Sequence, residues 1–179
     1  LITRYLNVYE LGIYYSLVCI IGIQVLFDSG YCSLLVSVLS STENKKKGLG
    51  KIGIFYYALK TFKRKAIFLF ITICIYSIII FRVSIDIDTA IIIVLLSTVV
   101  SKQFSIAPYV AFNEAEGNLN YLNNSRSYSY LVAHSLSWTT IILFDGLYFL
   151  VINRFVLLIG DIILIKYSSC DYGDNKDQG

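Results

Sequence analysis

The sequence predicts an all-α fold, a polytopic helical membrane bundle with about five transmembrane helices. Two observations support this. The chain of 179 residues is 56% apolar with a mean hydropathy of +0.68, and only 15% of its residues are charged. A soluble domain is about 25% charged. The apolar residues also form runs comparable to the length that crosses a bilayer, which is about 20 helical residues.

The first predicted span covers residues 9–39 and is interrupted at Asp28, Ser29 and Gly30. Its length exceeds one crossing, as a tilted or kinked helix allows. The next segment, 42–65, contains eight of the fifteen Lys and Arg residues of the chain. Its apolar residues recur at helical spacing, which predicts a basic amphipathic helix lying on the membrane surface.

Four further spans complete the predicted bundle, with short polar segments between them. They are 66–82, 89–112, 128–144 and 147–165. The bundle therefore occupies residues 1–167, and residues 168–179 form a polar tail. The chain begins at Leu1 and contains no Met, which predicts a fragment of a longer protein, and a non-standard start codon at Leu1 is the alternative.

The distribution of positive charge predicts the orientation, because Lys and Arg concentrate in cytoplasmic loops. One side of the predicted bundle collects segment 42–65 together with Arg126, Lys166 and Lys176, whereas Arg4 and Arg82 fall on the other. Segment 42–65 and the tail at 168–179 are therefore predicted to be cytoplasmic. Because the basic residues lie beside apolar spans, they indicate contact with membrane lipids and not with nucleic acid.

Ionisable residues inside the spans are candidates for function, because a charge in the bilayer needs water or a partner. They are Asp28, Lys102, Arg154 and Asp161. Two interpretations remain open. Asp28 could form a structural ion pair with Lys102 or Arg154, or the charges could line a water-filled cavity. In such a cavity Lys102 and Arg154 would bind a phosphate or an acidic sugar.

The two acidic residues have a further interpretation of their own. Asp28 and Asp161 would be the candidates for binding a proton or a sodium ion. The sequence Asp28-Ser29-Gly30 is equally well explained as a simple break near the middle of the first span. The sequence does not choose between these two readings of Asp28.

No arrangement in the sequence is typical of an enzyme. No nucleophile with its base and no carboxylate pair occurs at catalytic spacing. The four cysteines show no CxxC spacing and no metal cluster is evident. The sequence therefore predicts no catalytic residue, no metal site and no cofactor.

Five short motifs occur along the chain, and their order is the basis of a resemblance to a known family. The first three are Arg4-Tyr5-Leu6, Gly12-Ile13-Tyr14 and Asp28-Ser29-Gly30, and the later two are Glu116-Gly117-Asn118 and Gly146-Leu147-Tyr148. In this order, and with these loop lengths, the chain resembles bacterial polysaccharide flippases of the Wzx, or O-antigen transporter, type. These flippases belong to the multidrug/oligosaccharidyl-lipid/polysaccharide exporter superfamily.

The resemblance implies that the five spans are helices two to six of a transporter with roughly 12 to 14 helices in two halves. It implies alternating-access movement of an O-antigen, capsule or exopolysaccharide repeat unit, linked to undecaprenyl diphosphate, across the bacterial inner membrane. Polysaccharide assembly proteins would be further partners. The charges expected to line its central cavity are Lys102, Arg154, Asp28 and Arg4.

Two alternatives to this function remain open at the level of sequence. One is an efflux carrier of the related multidrug type, in which Asp28 would suit cationic drugs, although Lys102 and Arg154 oppose that assignment. The other is a membrane subunit or truncated remnant that does not transport.

Overall fold

The computed structural model describes residues 6, 8–28, 30–41, 48–80, 86–117, 119–144 and 147–174. These residues form helices α1 (Val8–Asp28), α2 (Tyr31–Ser40), α3 (Gly48–Ile80), α4 (Ile87–Ala115), α5 (Leu119–Phe144) and α6 (Tyr148–Asp174). No strand occurs in this part of the chain, so the all-α prediction is confirmed. Arg4 lies outside the described residues.

Helix α4 lies at the centre of the bundle and contacts α1, α2, α3, α5 and α6. It runs antiparallel to α3, because residues later in α3 pair with residues earlier in α4. Phe55 stacks edge-on against Tyr109 at 5.2 Å between ring centroids, and Phe62 stacks on Phe104 at 5.0 Å. Helices α5 and α6 form a second close pair, which joins the rest of the bundle mainly through contacts between α4 and α6.

Among the residues that the structure describes, three helical stretches are long and apolar enough to cross a membrane. They are Val8–Ser40, which comprises α1 and α2, Ile87–Ala115 and Tyr148–Lys166. Large apolar side chains are also exposed on other helices, such as Phe68 on α3 and Leu143 on α5, which are 65% and 67% exposed. An apolar surface of this kind favours contact with hydrocarbon over contact with water. Both observations are consistent with a membrane location.

A break occurs within the first span, as one of the two readings of Asp28-Ser29-Gly30 expects, and it divides the span into helices α1 and α2. Gly30 has φ 76° and ψ 9°, in the left-handed region. One carboxylate oxygen of Asp28 accepts a hydrogen bond from the backbone N–H of Cys32 at 3.2 Å. Asp28 thereby satisfies one of the free N–H groups in the first turn of α2.

Replacing Gly30 by valine should lower the free energy of unfolding by about 1 to 2 kcal/mol, because a left-handed backbone is costly for a residue with a Cβ. A Cβ at this position would meet nothing within 4 Å, so the cost is confined to the backbone. Thermal unfolding in detergent measures this loss of stability. Gly30→Asn is the control, because asparagine tolerates the left-handed conformation. Equal destabilisation by both variants would show that the backbone conformation is not the cause.

The basic segment 42–65 and the span 66–82 are predicted to be separate helices. This prediction is wrong where the structure describes the two segments. Helix α3 runs without a break from Gly48 to Ile80. No Gly or Pro follows Gly53 in this helix, and Lys and Arg are good helix formers, so the change in polarity near residue 65 does not end the helix. The basic segment is thus the first half of a single long helix.

The polar loop expected between spans three and four is also mostly helical. Helix α4 extends to Ala115, Gly117 turns the chain with φ 90°, and α5 begins at Leu119, well before the predicted residue 128. The physical reason is Leu122, which is 2% exposed and packs in a cluster with residues of α4 and α6. At the other end of the chain, α6 continues to Asp174, so the tail predicted at 168–179 begins inside a helix.

Candidate functional site

A cavity of about 600 Å³ opens between α1, α2, α4, α5 and α6. We call it the charged cavity, because acidic and basic side chains from four of these helices line it. They are Asp28, Glu114, Arg126, Arg154 and Asp161. Apolar residues make up much of the remaining wall, among them Val18, Ile21, Val25, Phe104, Ala107 and Val110.

A second pocket of about 200 Å³ shares part of this wall, including Gln103, Arg126 and Asp161. Arg154 and Asp161 both lie on α6, two helical turns or about 10 Å apart, which puts them on one side of the helix. Both are half-buried. The two pockets thus form one polar region along the α6 side of the bundle.

Two of the three carboxylates in the charged cavity already accept hydrogen bonds from the protein. Asp28 accepts the Cys32 N–H at 3.2 Å, as described above. Asp161 accepts a hydrogen bond from the side-chain amide of Gln103, also at 3.2 Å. The carbonyl oxygen of the same Gln103 amide is buried, and no partner for it occurs among the described residues.

Unlike Asp28 and Asp161, the two arginine side chains of the charged cavity have no hydrogen-bond partner among the described residues. Within the described ranges neither Arg126 nor Arg154 forms an ion pair or a hydrogen bond, and the ion pair in this part of the protein joins Lys51 to Glu116. A guanidinium group has five N–H donors in a planar fork that matches phosphate and carboxylate oxygens. The cavity therefore offers donors to an anionic ligand.

The ion pair considered from the sequence, between Asp28 and Lys102 or Arg154, does not form. Asp28 and Arg154 line the same cavity without pairing, whereas Lys102 is exposed and lines a different groove, between α3 and α4. The reason is the helical period of about 100° per residue. Gln103 faces the charged cavity, so its neighbour Lys102 points to another side of α4.

Sequence reasoning missed several residues of the charged cavity. Gln103 and Glu114 lie on the face of α4 that also carries Ala107 and Val110, and this face could have been recognised from its helical spacing. Arg126 and Tyr130, one turn apart on α5, were hidden because their segment was assigned partly to a loop. Charge alone identified Asp28, Arg154 and Asp161.

A separate polar cluster joins α5 to α6 and is satisfied internally. The amide of Asn153 donates to the Ser137 hydroxyl oxygen at 3.0 Å, and that hydroxyl donates to the Ala133 carbonyl at 2.7 Å. The Asn153 amide also lies 3.5 Å from a ring nitrogen of His134. These contacts explain the polar residues of this interface as packing between two helices.

Comparisons of the chain with protein-family models, with curated proteins and with solved structures yield no match.

Proposed function

We propose that this chain is part of a transporter of the bacterial inner membrane that moves a lipid-linked oligosaccharide between leaflets by alternating access. In this proposal five helices cross the bilayer within a bundle of roughly 12 to 14. The basic first half of α3 and the C-terminal end of the chain face the cytoplasm, following the positive-inside rule. The cargo is a polysaccharide repeat unit on undecaprenyl diphosphate, and the protein acts without enzymatic chemistry.

The proposal rests on which charged groups of the charged cavity already have partners in the protein. Asp28 and Asp161 accept hydrogen bonds from protein donors, whereas the donors of Arg126 and Arg154 are uncommitted among the described residues. A diphosphate would satisfy both guanidinium groups through bidentate hydrogen bonds. A volume of about 600 Å³ is also in the range of cavities that hold small ligands. The resemblance to polysaccharide flippases points to the same class of cargo.

The proposal is tested by replacing Arg154 and Arg126 by alanine, singly and together, in the full-length protein in its host membrane. Each loss of a hydrogen bond to a charged group is worth about 1.5 to 3 kcal/mol, so the supply of glycan to the outer leaflet should fall about tenfold or more. Lipid-linked oligosaccharide should accumulate on the inner leaflet. Surface polysaccharide and protein level in the membrane are measured together.

Matched variants make the result specific. Arg154→Lys keeps the charge but loses the bidentate fork, so it should retain part of the activity. Lys60→Ala removes an exposed cation of α3 that does not line the charged cavity, and it should behave as the wild type. Normal surface polysaccharide at normal protein level in the Arg126/Arg154 double variant would refute this role of the cavity.

The second candidate function is efflux of cationic drugs. The specific observation in its favour is that three carboxylates line the charged cavity against two guanidinium groups, and that one of the three, Glu114, is exposed. A drug-susceptibility screen of cells with Glu114→Gln separates the two functions. Increased susceptibility with normal surface polysaccharide would favour efflux, and the opposite pattern would favour glycan transport.

A further inference from the structure

A second groove, of about 500 Å³, lies between α3 and α4 and is separate from the charged cavity. Its lining residues are Lys63, Ala66, Ile67, Phe70, Thr98, Ser101, Lys102 and Ser105. None of them lines the charged cavity. We call it the lysine groove, because Lys63 from α3 and Lys102 from α4 are its two charged residues, and both are exposed.

Ser101 is a polar residue of the lysine groove that the fold leaves unsatisfied. It is 8% exposed, and its hydroxyl has no hydrogen-bond partner in the described part of the chain. The neighbouring hydroxyls differ, because Thr98 donates to the Val94 carbonyl and Ser105 donates to the Lys102 carbonyl, each at 2.8 Å. A buried hydroxyl without a partner is costly. Ser101 is therefore a donor available to an acceptor in the groove.

The lysine groove is polar at one end and apolar at the other. Lys63 lies one turn before the apolar run of α3, and the groove continues along that run past Ala66 to Ile67 and Phe70. Ile67 is 62% exposed. Because α3 and α4 are antiparallel, Lys102 lies at the same end as Lys63, and Thr98 lies nearer the apolar end. An amphiphile with an anionic head and a hydrocarbon tail matches this order.

We propose that the lysine groove binds an anionic phospholipid of the surrounding leaflet. The Lys63 and Lys102 ammonium groups and the Ser101 hydroxyl contact the lipid phosphate. One acyl chain lies along Ile67 and Phe70. Basic pockets between membrane helices hold anionic headgroups in this manner, and each Lys near the membrane surface contributes about 1 kcal/mol to the binding of anionic lipid. This site is independent of the cavity assigned to transport.

The test uses the full chain purified in mild detergent and measures how much phosphatidylglycerol and phosphatidylcholine remain bound, by native mass spectrometry. The wild type should retain phosphatidylglycerol preferentially. Lys63→Gln with Lys102→Gln should reduce its affinity by about 10- to 30-fold, as expected for two Lys contributions. Ser101→Ala, a smaller change that leaves the packing intact, should reduce retention without altering thermal stability in phosphatidylcholine nanodiscs.

The matched control is Lys60→Gln with Arg64→Gln, which removes the same charge from exposed positions of α3 outside the lysine groove. It should retain phosphatidylglycerol as the wild type does. Equal losses in the control and the groove variant would overturn the proposal, as would equal retention of the two lipids. Displacement by inorganic phosphate would identify a free anion as the ligand, and tighter binding of undecaprenyl phosphate would assign the groove to the transport cargo. Either result also overturns it.

Discussion

Replacing Gly160 by alanine is expected to destabilise the pairing of α5 with α6 by about 2 kcal/mol, in the range for overpacking a close contact. A Cβ built at Gly160 would lie 2.8 Å from the Cβ of Ser129 on α5. Rotation of the Ser129 side chain does not move its Cβ, so the helices themselves must separate. Small residues at such crossings let membrane helices approach closely. Thermal and denaturant unfolding in detergent measure the loss.

A second substitution tests the cause of this destabilisation. Ser129→Gly removes the atom that the new Cβ would meet, so the Gly160→Ala/Ser129→Gly pair should unfold near the stability of Ser129→Gly alone. The two substitutions should therefore show a coupling energy in a double-mutant cycle, as expected for residues in direct steric contact. Because Asp161 follows Gly160 and lines both pockets with Gln103, the Gly160→Ala variant should also impair the transport proposed above. Wild-type stability of Gly160→Ala would show that α5 and α6 can separate freely.

Replacing Phe104 by alanine is expected to lower the free energy of unfolding by about 3 kcal/mol, at the lower end of the range for a buried Phe. Phe104 is 1% exposed and its ring stacks on Phe62, which is fully buried, at 5.0 Å. Lipid tails are as apolar as the protein interior, so the loss comes mainly from packing and not from exposure to water. The variant also enlarges the charged cavity, because Phe104 forms part of its wall.

The control for this prediction is Phe104→Leu, which keeps most of the volume and should cost about 1 kcal/mol. A double-mutant cycle with Phe62→Ala should return a coupling of about 0.5 to 1.5 kcal/mol for the aromatic pair. Unfolding in detergent supplies all four stabilities. Independent effects of the two alanine substitutions would contradict the role given to the stacked rings.

The presence of the helices could be predicted from the sequence, whereas the residues at which they begin and end could not. A long apolar run produced the central element α4 nearly as predicted, from Ile87 to Ala115, and the helix continues through Pro108. Boundaries placed at a change in polarity failed, because Lys, Arg and Asn do not end a helix by themselves. The breaks at Gly30 and Gly117 both use the left-handed backbone that glycine allows.

The composition of the charged cavity was predictable in part. Asp28, Arg154 and Asp161 were recognised because a charge inside an apolar run needs an explanation. Gln103 carries no charge, and Arg126 lay in a segment assigned to a loop, so neither gave that signal. Lys102 is also a charge inside an apolar run, yet it lies in the lysine groove and not in the charged cavity.

The sequence by itself determined that the chain is all-helical and carries spans suited to a membrane, because apolar length and helix propensity are local properties. Only the tertiary structure decided which faces of the helices meet. On α4, Lys102 and Gln103 are adjacent in sequence and line different cavities. The helical period turns the two side chains about 100° apart. Which cavity each one lines depends on how α3 and α6 pack around α4, and packing is a property of the whole bundle.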